Sequence, residues 1–400
     1  MKKWPAVSLK EIAPPQWAKI RFKPDEQVWH LTLDQIDCLT CSVVNKKTAQ
    51  ISAADRQIRV FDEGNVLLSK IDPGLNKVLC PAEPGIGIPE LVPMRPRPEF
   101  LDRYFLAFYL RSGYFSGFAS ASASGRFVPR LKLPKVMAHT IPLPPISEQR
   151  RIVGILGQAD SLCKKRIEAE TNAAKIIPAL LDKMFGDQAR NPKGLVKKKL
   201  GEVMTLTTGK YLSPEALEPN GNYPVYGGDG VTGRYMEFML EDPAILISRY
   251  GRCCGKITFS ESKSWISEQV MYVSEVSGEI LPRYLAEVMR TANLGQYVTN
   301  SRQPLLSASR IYPIEIVIPP SEEQEKFISL ALEFDKYRCD GQNSLFRLRS
   351  LFSALMARAF SGDLTAGWRL AHMTELLSEM EAQSKGVGVP LILSSLSCGT

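Results

Sequence analysis

The chain has 400 residues, too many for one typical domain and enough for two to four. Hydrophobic residues make up 44% and charged residues 23%, which excludes a disordered chain because ordinary cores can form. The formal net charge of +8 favours anionic partners. No run approaches eighteen apolar residues, and the first residues lack the apolar core of a signal peptide. We therefore expect a cytoplasmic protein with no membrane contact.

In chain order, the sequence divides into segments of alternating character. Residues 1–142 and 191–318 carry short apolar runs broken by Gly, Pro and Asn, which predicts two mixed, mostly β domains. Each is followed by a long helical segment, 143–190 and 319–365, and the chain ends in a tail at 366–400. In the second mixed domain we predict strands at 244–248 and 315–318, a helix at 282–290 and a turn at 226–230.

The two long segments have the start and stop signals of helices. Each follows a Pro-Pro pair; Ser321 with Gln324 fits a capping box, and Gly186 and Gly362 mark the ends. Pro178 should kink or break the first helix. The predicted apolar stripes are Ile152, Ile155, Ala159, Leu162, Ala169, Ala173, Ile176 and Leu180, and Phe327, Leu330, Phe334, Tyr337, Leu348, Leu351 and Leu355.

The sequence also contains an internal repeat. A shift of 175 residues aligns Pro-Pro-Ile-Ser-Glu-Gln at 144–149 with Pro-Pro-Ser-Glu-Glu-Gln at 319–324, and Phe185 with Phe360. Further upstream the shift grows to 179 and then 191 residues. The chain therefore reads as two copies of one unit with approximate two-fold symmetry, an α+β protein whose two mixed domains are joined by two long antiparallel helices in a coiled coil. The alternative is that each helix packs only on its own domain.

Basic residues cluster in windows that contain no Asp or Glu, namely 103–147, 243–260 and 288–314. Such windows suit a surface that faces phosphates, although a solvated basic face is the plainer alternative for any one of them. Because the windows recur in both copies, we predict contacts to double-stranded DNA. The candidate residues are Lys70, Lys77, Arg111, Arg126, Arg130, Lys132, Arg249, Arg252, Lys256, Arg302, Gln303 and Arg310.

Residues for metal, thiol or phosphoryl chemistry are sparse. Cys38 and Cys41 form one C-x-x-C pair, but no second pair or H-x-x-x-H segment completes a zinc site. The segment 251–256 (Gly-Arg-Cys-Cys-Gly-Lys) has the wrong spacing for a P-loop, and Ile follows the Lys. Asp242, Glu261 and Lys263 match only a degenerate nuclease pattern. We predict no catalytic centre, no metal and no cofactor.

Together with the repeat, three motifs resemble those of the specificity subunits of type I restriction-modification enzymes, and the resemblance covers about residues 1–370. The motifs are the helix starts 141–152 and 318–324 and the ending 360–365, which is followed by Trp368 and Arg369. The segment 302–305 (Arg-Gln-Pro-Leu) is similar to the family's pre-helix motif. In the first copy Val128 occupies the position of Gln303, so a role for that Gln does not carry over.

The resemblance implies that each mixed domain is a target-recognition domain reading one half of a bipartite, asymmetric DNA site. It also implies that the paired helices set the gap between half-sites, that methyltransferase and restriction subunits dock on the chain, and that the chain itself is not catalytic. A coiled-coil scaffold without sequence-specific DNA binding is the second hypothesis. A nuclease that uses Asp242, Glu261 and Lys263 is the third.

Overall fold

The computed structural model describes residues 4–20, 22–23, 25–50, 59–125, 128–299 and 304–387. The strands are β1 (Ala6–Ser8), β2 (Gln27–Leu31), β3 (Thr48–Gln50), β4 (Val60–Phe61), β5 (Val66–Ser69), β6 (Val78–Leu79), β7 (Gly85–Gly87), β8 (Leu91–Met94), β9 (Thr140–Pro142), β10 (Val196–Lys199), β11 (Met204–Thr208), β12 (Tyr223–Gly227), β13 (Gly230–Tyr235), β14 (Ile245–Ser248), β15 (Ile257–Phe259), β16 (Trp265–Ile266), β17 (Val270–Val276) and β18 (Glu315–Ile318). The helices are α1 (Leu9–Ile12), α2 (Arg103–Arg111), α3 (Gly113–Ser122), α4 (Leu133–Ala138), α5 (Ile146–Ala173), α6 (Ile176–Phe185), α7 (Leu200–Val203), α8 (Pro282–Thr291), α9 (Ala308–Ile311), α10 (Ser321–Ser361), α11 (Ala366–Ala371) and α12 (Met373–Val387).

The chain forms two compact units whose boundaries fall inside the long helices. Unit 1 comprises Met1–Glu168 and Asn343–Thr400, and unit 2 comprises Ala169–Gln342. Unit 1 contains sheets of strand order β1-β9, β3-β2-β7-β4 and β6-β5-β8. Unit 2 contains sheets of order β10-β18, β11-β17-β14-β15 and β13-β12-β16. The mixed fold agrees with the sequence prediction.

The two units repeat one pattern of pairing. In unit 1, β5 pairs antiparallel with β6 and β8, and in unit 2, β14 pairs antiparallel with β15 and β17. Likewise β1 pairs with β9, and β10 pairs with β18. The predicted strands and helix of the second mixed domain are confirmed as β14, β18 and α8, and the predicted turn joins β12 to β13.

The first long helical segment is broken where Pro178 requires it. Helix α5 ends at Ala173 and α6 begins at Ile176, so the break lies one turn before the proline. Proline has no N–H to donate, and its ring clashes with the carbonyl four residues earlier, here that of Ala174. Helix α10 contains no proline and is continuous over 41 residues.

In each unit the start of one long helix shares a core with the end of the other. The unit 1 core contains Ile152 and Leu156 of α5 with Ala359 and Phe360 of α10. The unit 2 core contains helix α6 together with Phe327 and Ala331 of α10. The two helical segments therefore run in opposite directions, as predicted.

The buried face of the helices differs in part from the predicted stripe. Residues Ile152, Leu156, Asp160, Cys163, Ile177, Leu181 and Phe185 are buried on α5 and α6, whereas the predicted Leu162 and Ile176 are exposed. On α10, Leu330, Tyr337 and Leu351 are exposed too. The predicted stripe was wrong at these positions because it was drawn through apolar residues only. The true face includes Asp160, whose carboxylate is neutralised by Arg111 at 2.7 Å.

A buried glutamine fixes the start of each long helix. In unit 1, Gln149 Oε1 accepts from Asp102 N at 2.8 Å, and its Nε2 donates to the carbonyls of Phe100 and Pro144. In unit 2, Gln324 Oε1 accepts from Leu281 N at 2.8 Å. Its Nε2 donates to the carbonyls of Glu279 and Pro319. The predicted capping role of Gln324 is therefore wrong, because its side chain binds the segment before α8 and not the first turn of α10.

The tail packs on unit 1 at the start of α5. Glu379 of α12 accepts from Ser147 N at 3.2 Å and from Ser147 Oγ at 2.9 Å. Gln383 Nε2 donates to the carbonyl of Phe100 at 3.3 Å. Helix α12 thus covers the first turn of α5.

Candidate nucleic-acid interface

In unit 1 a strand-like contact joins two basic segments of the sequence. Lys70 follows β5, and its carbonyl accepts from Leu131 N at 2.8 Å. The neighbouring residue Ile71 forms a β-bridge with Arg130. Arg130 and Lys132 are exposed, and Lys70 is half-buried. The contact therefore brings the backbone positions of three candidate cations, Lys70, Arg130 and Lys132, close together in unit 1.

Unit 2 repeats this contact with different residues. Arg249 follows β14, and its carbonyl accepts from Leu306 N at 3.0 Å. Tyr250 forms a β-bridge with Leu305. Lys70 and Arg249 are 179 residues apart, and Leu131 and Leu306 are 175 apart, as in the sequence repeat. The structure thus brings the windows 243–260 and 288–314 together at the place where unit 1 joins its own basic segments.

A second pair of lysines occupies equivalent backbone positions. Ser69 N donates to the carbonyl of Lys77 at 3.0 Å, and Ser248 N donates to the carbonyl of Lys256 at 3.0 Å. Lys77 Nζ donates to the carbonyl of Leu33 at 2.5 Å. Lys256 Nζ lies 3.2 Å from the carbonyl of Asp229 and 3.5 Å from its carboxylate. Both lysines are therefore anchored to neighbouring loops.

The remaining candidates of unit 2 are held by carbonyl groups. Arg249 Nη1 donates to the carbonyl of Glu268 at 3.2 Å, and its guanidinium lies 5.2 Å from the ring centre of Tyr250. Arg310 of α9 is exposed, and its Nη1 donates to the carbonyl of Tyr297 at 3.2 Å. Carbonyl partners leave the positive charge of each arginine uncompensated, so these groups retain their attraction for phosphate.

Arg111 differs from the other candidates because its positive charge is compensated by a carboxylate of the protein. Its side chain is 11% exposed and pairs with Asp160, which also pairs with Lys164. The guanidinium lies 5.4 Å from the ring centre of Phe108 and 5.6 Å from that of Phe352. A cation buried against a carboxylate and two rings joins α2 to the long helices. The prediction that Arg111 contacts DNA is therefore not retained.

Some candidates cannot be placed. Arg126, Arg302 and Gln303 lie outside the described residues. The backbone of Arg252 lies in the short 3-10 turn Gly251–Cys253, and its side chain is outside the described part of the chain.

The sequence windows gave no indication of Asp229, which lies beside them in space. Its side chain is 83% exposed at the turn between β12 and β13, and Cys253 Sγ donates to its Oδ1 at 2.9 Å. The sequence feature that indicates Asp229 is the glycine-rich turn 226–230, in which Asp229 is the single charged residue. Windows defined by basic residues alone do not include it.

Groups with a possible chemical role are tied to structural contacts. Burial raises the pKa of the Cys254 thiol, which donates to the carbonyl of Arg249 at 3.0 Å. Lys263 pairs with Glu241 at 3.5 Å. Within the described ranges no group of three His, Cys, Asp or Glu residues could hold a metal ion, and no helix is long and apolar enough to cross a membrane.

Comparison with known proteins finds similarity to one family. Residues 192–337 match the family model of the type I restriction modification DNA specificity domain. The chain is similar to the type I restriction-modification specificity subunits. It is 24% identical over 326 residues to the EcoKI specificity subunit of Escherichia coli K12, covering 70% of each chain. It is 28% identical over 143 residues to the EcoprrI specificity subunit of Escherichia coli, covering 35% of each.

Solved structures of specificity subunits share this fold. The S subunit of the type I system from M. genitalium matches with a TM-score of 0.54 at 17% identity, over 89% of this chain and 96% of that one. A chain from a study of the assembly and conformational transition of the type I system matches with a TM-score of 0.51 at 18% identity, over 91% and 99%. Both likenesses extend across the two units.

Proposed function

We propose that the chain is the DNA sequence-specificity subunit of a type I restriction-modification system. Each mixed domain, 1–142 and 191–318, reads one half of a bipartite, asymmetric site in double-stranded DNA. The helical segments 143–190 and 319–365 are spacers that set the gap between the half-sites. Methyltransferase and restriction subunits dock on the chain, which acts in the cytoplasm and supplies recognition, not catalysis.

One observation carries the proposal, namely that in both units a cation at the end of a β-strand, Lys70 or Arg249, is joined through the same hydrogen bond to an acid-free basic segment. A surface that evolved only for solubility has no need to repeat this convergence, whereas two DNA readers need it twice. The interface comprises Lys70, Lys77, Arg130 and Lys132 in unit 1 and Arg249, Lys256 and Arg310 in unit 2. On sequence grounds alone, Arg126, Arg252, Arg302 and Gln303 belong with them.

The competing hypothesis is a coiled-coil scaffold without sequence-specific DNA binding. Such a scaffold would require apolar helix faces for partners and would make no use of cations on the mixed domains. The family match covers the second mixed domain itself, at residues 192–337, and this supports recognition over a scaffold role.

Salt-dependent binding of duplex DNA to the full chain tests the proposal. Changing both Arg130→Ala and Lys132→Ala should weaken binding and reduce the slope of log K against log salt by about 0.9 for each phosphate that is no longer neutralised. Lys326→Ala is the matched control, because Lys326 is an exposed cation of α10 that pairs with Glu322 at 2.9 Å. Unchanged affinity and slope in the double variant would contradict the proposed interface.

A further inference from the structure

We infer that Asp229 reads a cytosine by accepting a hydrogen bond from its exocyclic N4 amino group in the major groove. The inference rests on the proposed function and assigns a specificity-determining residue to the half-site of unit 2. Asp229 lies at the turn between β12 and β13, where the sequence runs Gly227, Gly228, Asp229, Gly230. Its neighbours have no side chains, so the carboxylate is the one functional side chain of this turn.

The turn is rigid and packs against the basic segments. Ser248 Oγ donates to the carbonyl of Gly228 at 2.6 Å, and a Cβ at position 228 would lie 3.6 Å from the carbonyl oxygen of Tyr250. Gly227 and Gly228 are buried, and Gly230 has a φ of 127°, which favours glycine. The backbone is thus held beside Arg249, while the Asp229 side chain is 83% exposed.

Local contacts orient the carboxylate. Cys253 Sγ donates to Asp229 Oδ1 at 2.9 Å, and Lys256 Nζ lies 3.5 Å from the same oxygen. These contacts hold the carboxylate, and because its side chain is 83% exposed it remains accessible to a base. An oriented acceptor on a rigid turn is what base recognition requires.

Anchoring Lys256 does not by itself require a carboxylate. The equivalent lysine of unit 1, Lys77, is held by the carbonyl of Leu33. Lys256 likewise reaches the carbonyl of Asp229, at 3.2 Å. An exposed negative charge beside phosphate-binding cations weakens sequence-independent binding. A carboxylate at this place is suited to discrimination between bases, since in the major groove Asp and Glu pair with the N4 amino group of cytosine.

Affinity selection with the full chain tests this assignment, using a pool of random-sequence duplex DNA followed by sequencing. Wild type should select a bipartite site with a C·G pair in the half read by unit 2. Asp229→Ala should reduce discrimination at that pair by about 10- to 100-fold, and Asp229→Asn should move the preference there to A·T, because Asn pairs with adenine. The other half-site and the gap should stay unchanged.

Glu279→Gln is the control, since Glu279 is another exposed acid of unit 2 and pairs with Lys198; it should select the wild-type site. The inference is overturned if both Asp229 variants select the wild-type site and bind all sequences more tightly by one common factor. Asp229 would then only neutralise Lys256. If wild type enriches no bipartite sequence, the proposed function itself fails, and this result is distinct from a failure of the Asp229 assignment alone.

Discussion

At the scale of single residues, the internal repeat allows one position to be compared in two different surroundings. Glu148 is fully buried in unit 1 and accepts from Trp4 Nε1 at 3.0 Å, Thr365 Oγ1 at 2.6 Å and Arg369 Nε at 2.8 Å. Its counterpart 175 residues later, Glu323, is exposed. The same position of the repeat therefore holds a buried ion pair in one unit and a surface carboxylate in the other.

Glu148→Ala should lower the free energy of unfolding by about 3 to 5 kcal/mol, because it leaves the guanidinium of Arg369 buried without its partner. Glu323→Ala should change it by less than about 0.5 kcal/mol. Calorimetry of the full chain measures both. Equal effects of the two substitutions would show that the ion pair contributes nothing beyond a surface charge.

His139 gives unit 1 a pH dependence. Its ring stacks on Phe118 with centroids 4.1 Å apart, and its Nε2 lies 2.9 Å from the Tyr109 hydroxyl. Burial lowers the pKa of His139 from its ordinary value of 6.5 and raises that of Tyr109 to about 12. The folded protein therefore binds this proton less readily than the unfolded chain.

It follows that the stabilisation from a neutral His139 is fully present above pH 6.5 and is lost as the pH falls from there through the lowered folded pKa. The melting temperature of unit 1 should decrease over this interval in wild type. It should decrease less in His139→Phe, which keeps an aromatic ring and cannot be protonated. Parallel curves for the two proteins between about pH 7.5 and 5.5 would contradict the assignment.

At the scale of elements, the two helix starts are held by identical devices. Gln149 and Gln324 each bridge the segment before a short helix to the Pro-Pro pair that precedes a long one. The sequence revealed this motif through its repetition. It did not reveal the role of the glutamines, because the partners Asp102 and Leu281 are distant in sequence and contribute backbone groups that any residue carries.

Gln149→Leu and Gln324→Leu should each destabilise their own unit by about 1 to 3 kcal/mol, because each removes the acceptor of a partly buried backbone N–H and a donor to two carbonyls. Thermal unfolding followed by calorimetry should show a lowered transition for one unit in each variant. In unit 1 Gln383 also donates to the carbonyls of Phe100 and Pro144, so the effect of Gln149→Leu should be the smaller of the two. A loss of stability confined to Gln149→Leu would contradict this expectation.

Sequence periodicity predicted the long helices but not all of the residues on their buried faces. Steps of three and four identified both helices, and Pro178 correctly predicted the break between α5 and α6. The face itself was misplaced at Leu162 and Ile176, because Asp160 is buried through a partner on α2. A pairing between residues 49 positions apart is a tertiary event that helical periodicity does not encode.

At the scale of the whole molecule, duplication was the feature that sequence predicted best. Phe360 packs on Phe105 in unit 1, and Phe185 packs on Tyr284 in unit 2, with ring centroids 5.4 Å apart in both. The repeat in the sequence aligns these two phenylalanines without any knowledge of their surroundings. The convergence of the basic windows depended on strand pairing, as in the bond from Leu306 to Arg249, and was not predictable from spacing.

The central claim is that spacer length sets the gap in the recognised DNA site. Deleting one heptad from each long helix, 164–170 and 341–347, preserves the phase of their apolar faces and shortens each by about 10 Å, at about 1.5 Å per residue. Genome-wide mapping of methylated sites, with the chain assembled with its methyltransferase subunits, should then show a gap shorter by about three base pairs and both half-sites unchanged. Altered half-sites with the original gap would contradict this claim.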